Sequence, residues 1–116
     1  MGDSQRPALF PCPDYEVHTV REALAKVIEG AGGLDWVRPG MRIAVKLNLC
    51  AAKKPEAAAT THPVLAAELT RMLVERGAEV ILGDSPGGPF VAPWIHRTYE
   101  LTGLRLCVEA GGSRSK

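Results

Sequence analysis

The chain has 116 residues, the size of one domain, and 46% of them are apolar, enough for a core without staples. Lys and Arg number 14 against 13 Asp and Glu, for a formal charge of +1. That balance leaves no electrostatic footprint for nucleic acid or an anionic membrane surface, so neither partner is expected.

In chain order, residues 8–12 can form a short first strand, but Pro7, Pro11 and Pro13 push it to a sheet edge or to irregular structure. Val17, Val20, Leu24, Val27, Ile28 and Ala31 recur at three and four residues and predict a helix. Asp14 is its expected N-cap and Gly32-Gly33 its stop. A connector through Pro39-Gly40 follows. Ile43, Val45, Leu47 and Leu49 then alternate with Ala44, Lys46 and Asn48, predicting a strand over 42–49.

A second helix is predicted from Pro63 to Arg76. Pro63 suits a first turn, where its missing N–H is not needed, and Gly77 sits at the C-cap position. Val80 to Leu82 read as a strand ending in the turn "GDSPGG". Trp94, Ile95, Thr98 and Leu101 suggest a third helix ending at Gly103, and "LRLCVE" (104–109) reads as a last strand. Strands alternating with helices predict an α/β fold in two or three layers around a mostly parallel sheet. One domain is expected over 1–109, with 110–116 as a disordered tail.

Cys12, Cys50 and Cys107 are odd in number and widely spaced, with no CxxC pair. No local zinc ribbon or ferredoxin-type cluster can be assembled from them, and no iron–sulfur cluster is expected within the chain. They read as idle thiols of a reducing compartment. With no apolar leader region and no apolar run near the ~20 residues of a membrane span, the expected location is the cytoplasm. Trp36 and Trp94 are expected to anchor the core, and His18 and His96 to be structural.

In open parallel sheets, ligands bind beyond the carboxyl ends of the strands. Three polar groups fall there. Lys46 and Asn48 finish one strand. Thr60, Thr61 and His62 open the helix that follows it. Asp84, Ser85, Gly87 and Gly88 follow the next strand. If the two strands are neighbours, the three groups share one rim.

Such a rim suits a small anionic ligand. A helix N-terminus favours a phosphate or carboxylate, Lys46 adds full charge, and Gly87 and Gly88 allow close backbone approach. Asp84 is the candidate ligand for a divalent metal, and His62 a candidate general base or metal ligand. Plainer roles stand beside these. Thr60 or Thr61 suits a simple N-cap, His62 a cap or surface position, Lys46 a solvated strand end, and "DSPG" an ordinary turn. No Walker A loop, GxGxxG fingerprint, GxSxG elbow or HExxH pair is present.

"CPDY" near the start, "GGLDWVRPGMRIAVKLNL" and "ATTHPVLAAELTRMLVERGAEVILGDSPGG", in that order over residues 9–103, resemble the N-terminal part of the domain-of-unknown-function 362 (DUF362) family. Leu47 stands where that family usually has proline in Lys-Pro-Asn-Leu, while Lys46 and Asn48 keep the pattern. The resemblance implies an α/β domain often found beside a 4Fe–4S ferredoxin module, and a chain shorter than the family's usual length. It directs attention to Lys46, Asn48, Thr61, His62, Pro63, Asp84, Ser85, Pro86, Gly87 and Gly88.

Three functions remain open from the residues and the resemblance. The first is binding of a small anionic ligand or metal at the rim, as all or part of an enzyme. The second is a redox accessory role with a ferredoxin-type partner or module. The third is a non-catalytic interaction domain, such as a homodimer. No reaction follows from the residues themselves.

Overall fold

The computed structural model of the chain describes residues 7–47, 61–83 and 105–114. Helix α1 spans Val17–Gly30, strand β1 Arg42–Lys46, helix α2 Pro63–Glu75, strand β2 Glu79–Gly83, helix α3 Arg105–Glu109 and strand β3 Ser113–Arg114. The strands form one sheet in the order β1-β2-β3, both pairings parallel. This is an α/β fold, as the alternation of strands and helices predicts.

Register assigns the faces. Ile43 pairs with Val80 and Val45 with Leu82. Val80 and Leu82 are fully buried in the core, and Ile43 and Val45, partly buried, pack against it. Ala66, Ala67 and Leu73 of α2 join them, as do Cys107 of α3 and Ala110 just after it. Both helices therefore cover the same side of the sheet. Arg42, Ala44 and Lys46 point the other way and are exposed. Among the described residues the arrangement is two-layered.

α1 lies against α2 and runs in the same direction. Tyr15, just before α1, stacks on His62, just before α2, while Arg76 at the end of α2 bonds the Leu34 carbonyl beyond the end of α1. Arg21 joins the two helices. Its guanidinium reaches Glu68 at 3.5 Å and Glu75 at 2.5 Å. Glu68 is only 2% exposed and also pairs with Arg71, so this buried carboxylate has a cation on two sides.

Each helix closes with the same device. Gly32 and Gly33 donate to the carbonyls of Glu29 and Ile28, Gly77 and Ala78 to those of Val74 and Leu73, and Gly111 and Gly112 to those of Val108 and Cys107. This is the paired bond pattern of a Schellman stop.

Four expectations need correction. Residues 8–12 form no strand, the irregular outcome that three nearby prolines favour. Residues 105–109 are helical where a strand is expected, because Cys107 and Ala110 turn inward while Leu106 and Val108 stay exposed. Residues 110–114 of the expected disordered tail form the stop after α3 and strand β3, whose Ser113 and Arg114 pair with Ile81 and Leu82. Trp36 is 55% exposed and anchors nothing in the core. The turn closed by Val37 N–H on the Leu34 carbonyl sends Val37 inward instead. The predicted third helix over 94–103, with Trp94 and His96, lies outside the described residues.

Candidate functional site

The adjacency on which the rim depends is present. β1 and β2 are hydrogen-bonded neighbours, and their last residues, Lys46 and Gly83, are paired in register. The ladder extends one residue further, with Leu47 N–H donating to the Gly83 carbonyl at 2.9 Å. Leu47, the departure from the family's proline, is 3% exposed and belongs to the core. Its N–H makes a bond that proline could not.

α2 leaves the same edge of the sheet. Its N-cap is His62, not Thr60 or Thr61. The His62 Nδ1 accepts the backbone N–H of Val64 at 3.3 Å, which answers one of the helix's unpaired donors. Pro63 occupies the first turn, as its missing N–H predicts, and is buried. Thr61 and His62 are half-buried, while Lys46 is exposed. The structure thus brings a cation, a hydroxyl, an imidazole and the positive end of a 13-residue helix to one sheet edge. Asn48, Thr60, Asp84, Ser85, Gly87 and Gly88 lie outside the described residues.

Tyr15 is the rim residue that sequence reasoning does not find. Its ring stacks flat on His62, with centroids 3.6 Å apart and planes 6° from parallel. The segment before α1 is shaped to deliver it. Asp14 Oδ1 accepts the Glu16 N–H at 2.9 Å, and Cys12 Sγ donates to the Asp14 carbonyl at 3.2 Å. Asp14 is therefore a turn former two residues ahead of the α1 N-cap, which is Glu16 and makes no side-chain cap bond. The one sequence signal for Tyr15 is its place in "CPDY".

Beside Tyr15 lies an apolar groove of about 410 Å³ between this segment, α1 and the first turn of α2, lined by Phe10, Pro13, Val20, Leu24 and Leu65. A wider groove of about 1070 Å³ lies at the other end of the two helices, among Lys26, Glu29, Gly33, Asp35 and Arg76. Its mixed charges and its distance from the strand ends separate it from the rim.

Among the described residues, no group of three or more His, Cys, Asp or Glu could hold a metal ion. Cys107 is fully buried, and burial pushes its thiol up to about 11, so it is chemically quiet. Cys12 is exposed. Among the described residues, no helix is long and apolar enough to cross a membrane.

A parallel sheet with helices between its strands defines an α/β protein. Comparison narrows the class. The family model described as Domain of unknown function (DUF362) matches residues 43–114, and the chain belongs to that family. The match takes in "KLNL", "TTHP", "GDSPGG" and α3–β3, and leaves "CPDY" outside it. The chain is also similar to Thylakoid-associated protein sll1697 of Synechocystis sp., with 30% identity over 80 residues, 68% of this chain and 25% of that relative. It thus spans about a quarter of the length of the curated relative it matches. No solved structure matches the chain.

Proposed function

We propose that the carboxyl edge of the parallel sheet binds a small anionic ligand bearing a phosphate or carboxylate, alone or with a divalent metal. The observation that supports this reading is that Lys46 ends β1 beside Gly83 at the carboxyl edge of the sheet, the edge from which the His62-capped N-terminus of α2 leaves. A full charge and a helix end of the same sign reinforce one another toward an anion. Asn48, Thr60, Ser85, Gly87 and Gly88 complete the proposed site, with Thr61 and His62 on its helix side. Asp84 is its proposed metal ligand. The reading is one of binding, and it assigns no reaction to the longer proteins of the family.

A thermal-shift panel tests it on the wild type, Lys46→Ala and Asp84→Ala, using inorganic phosphate, nucleotides, small carboxylic acids and divalent metals. A ligand at 100 times its dissociation constant stabilises by about 2.7 kcal/mol, a shift of several degrees for a domain of this size. The expected outcome is a shift for an anionic class that shrinks at least tenfold in apparent affinity in Lys46→Ala. Metal-dependent shifts should vanish in Asp84→Ala. A sharp transition that no compound moves, or equal shifts in all three proteins, would overturn the reading.

A further inference from the structure

We infer that Tyr15 is a positioning residue for His62. Together with the first turn of α2, it holds the imidazole as the neutral Nε2–H tautomer. His62 is then a hydrogen-bond donor at Nε2, and not a general base or metal ligand. The inference rests on the ligand-binding reading for the ligand alone, because the state of the ring can be read without one.

The Val64 N–H decides which ring nitrogen carries the proton. A backbone amide can only donate, so the ring atom facing it must carry a lone pair. That atom is Nδ1, at 3.3 Å. A neutral imidazole has one N–H, which therefore resides on Nε2. A base or a metal ligand at Nε2 needs its lone pair there. The proton would then have to sit on Nδ1, facing the Val64 hydrogen, and the cap would break. Protonation of both nitrogens breaks the same bond and adds charge at the positive end of the helix. In either of those states the ring gives up the cap of α2.

A single hydrogen bond does not fix a ring, since imidazole can flip about its second side-chain torsion and present carbon to the same N–H. Tyr15 holds the ring in one plane, which leaves two orientations related by a half-turn, and the Val64 N–H selects the one that presents Nδ1. The Tyr15 ring covers one face of His62 at 3.6 Å with only 6° between the planes. Tyr15 is itself placed by two local bonds, Asp14 Oδ1 to Glu16 N–H and Cys12 Sγ to the Asp14 carbonyl, and by its position one residue before the α1 N-cap. Its ring also forms a wall of the apolar groove with Phe10, Val20 and Leu65. The chain ahead of α1 thereby sets the chemical character of a residue at the start of α2. A ring locked as an Nε2–H donor matches a phosphate or carboxylate oxygen, the same chemistry toward which Lys46 and the helix end point.

The test uses the full chain labelled with ¹⁵N-histidine, with His62 assigned by a His62→Gln variant. Long-range ¹H–¹⁵N spectra at about pH 8, above the ordinary histidine value of about 6.5, read the tautomer of the neutral ring. Wild type and Tyr15→Phe should both show an unprotonated Nδ1 and a protonated Nε2 for His62. Tyr15→Leu should move both nitrogens toward tautomer-averaged values while amides remote from the rim keep their positions. If Tyr15→Leu does not fold, wild type and Tyr15→Phe still decide, because a protonated Nδ1 in either overturns the inference. Unchanged nitrogens in a folded Tyr15→Leu overturn it as well. Added zinc should leave the His62 nitrogens in place, and a zinc-induced loss of the Nε2 proton would contradict the donor role. A phosphate titration separates the two readings. If phosphate fails to bind a ring of the stated tautomer, the binding reading falls and the positioning role stands. If phosphate binds a ring of the other tautomer, the positioning role falls and the binding reading stands.

Discussion

Gly77 shows how one residue can hold two elements in register. It ends α2 with φ of +87°, and its carbonyl accepts the Gly40 N–H at 3.0 Å, tying that end to the turn that opens β1. A Cβ at this position would lie 2.8 Å from Pro39 Cα and 2.9 Å from Pro39 Cβ, backbone and ring atoms that cannot swing aside. Gly33, the second residue past the C-cap of α1, has a similar φ of +80°, but a Cβ there meets nothing within 4 Å. Both alanine variants should suffer the left-handed backbone penalty of roughly 1–2 kcal/mol. Gly77→Ala should suffer the clash in addition. Urea midpoints are therefore expected to fall further for Gly77→Ala than for Gly33→Ala, and equal losses would contradict the packing described here. At this scale both stops were legible, since glycine after a periodic apolar run has a direct conformational meaning. Trp36 was not legible, because size and apolarity do not say which way a connector turns. The capping role of His62 was legible only as one reading among several, since Thr60 and Thr61 beside it are the commoner caps.

At the scale of elements, the pairing of α1 with α2 depends on charge as well as packing. The hydrogen bond from Arg21 is the main cause that holds the Glu75 carboxyl below the ordinary 4.5, and the same bond raises Arg21. A carboxylate lowered in the folded state stabilises fully above the unfolded value and loses that contribution as pH falls through the folded one. Between about pH 6 and pH 3, wild type should therefore lose more thermal stability than Glu75→Gln, which has no carboxyl to titrate. Glu75 is 55% exposed, so the difference should be no more than roughly 0.2–1 kcal/mol and should shrink in high salt. Parallel acid limbs for the two proteins would contradict the clamp.

The elements themselves were legible where period and punctuation agreed, as in α1, β1, α2 and β2. α3 was misread because Leu104, Leu106 and Val108 alternate like a strand. The structure leaves Leu106 and Val108 39% and 46% exposed and buries Cys107 and Ala110, a helical spacing. The corrective signal was present, since Ala110-Gly111-Gly112 repeats the Ala31-Gly32-Gly33 stop of α1. β3 offers no apolar pattern to read. Its place depends on Gly112, where a Cβ would come 2.4 Å from Leu82 Cδ1.

For the molecule as a whole, the parallel sheet and its carboxyl edge followed from the order of elements, because crossover connections bring a helix start back to the strand ends. The pairing of Lys46 with Gly83 supplies the adjacency on which the rim depends. What local pattern could not supply was Tyr15. Its contact with His62 joins two segments that neither periodicity nor turn chemistry relates. On the proposed function, an anion binds at this edge and not in the wide groove between the far ends of α1 and α2. The most direct measurement is a phosphate titration of the ¹⁵N-labelled chain followed by amide chemical shifts. Saturable movement of the Lys46, Thr61, His62 and Val64 amides is expected, while those of Lys26, Glu29, Gly33 and Asp35 stay still. Movement confined to the second group, or no saturable movement at the first, would contradict binding at the edge.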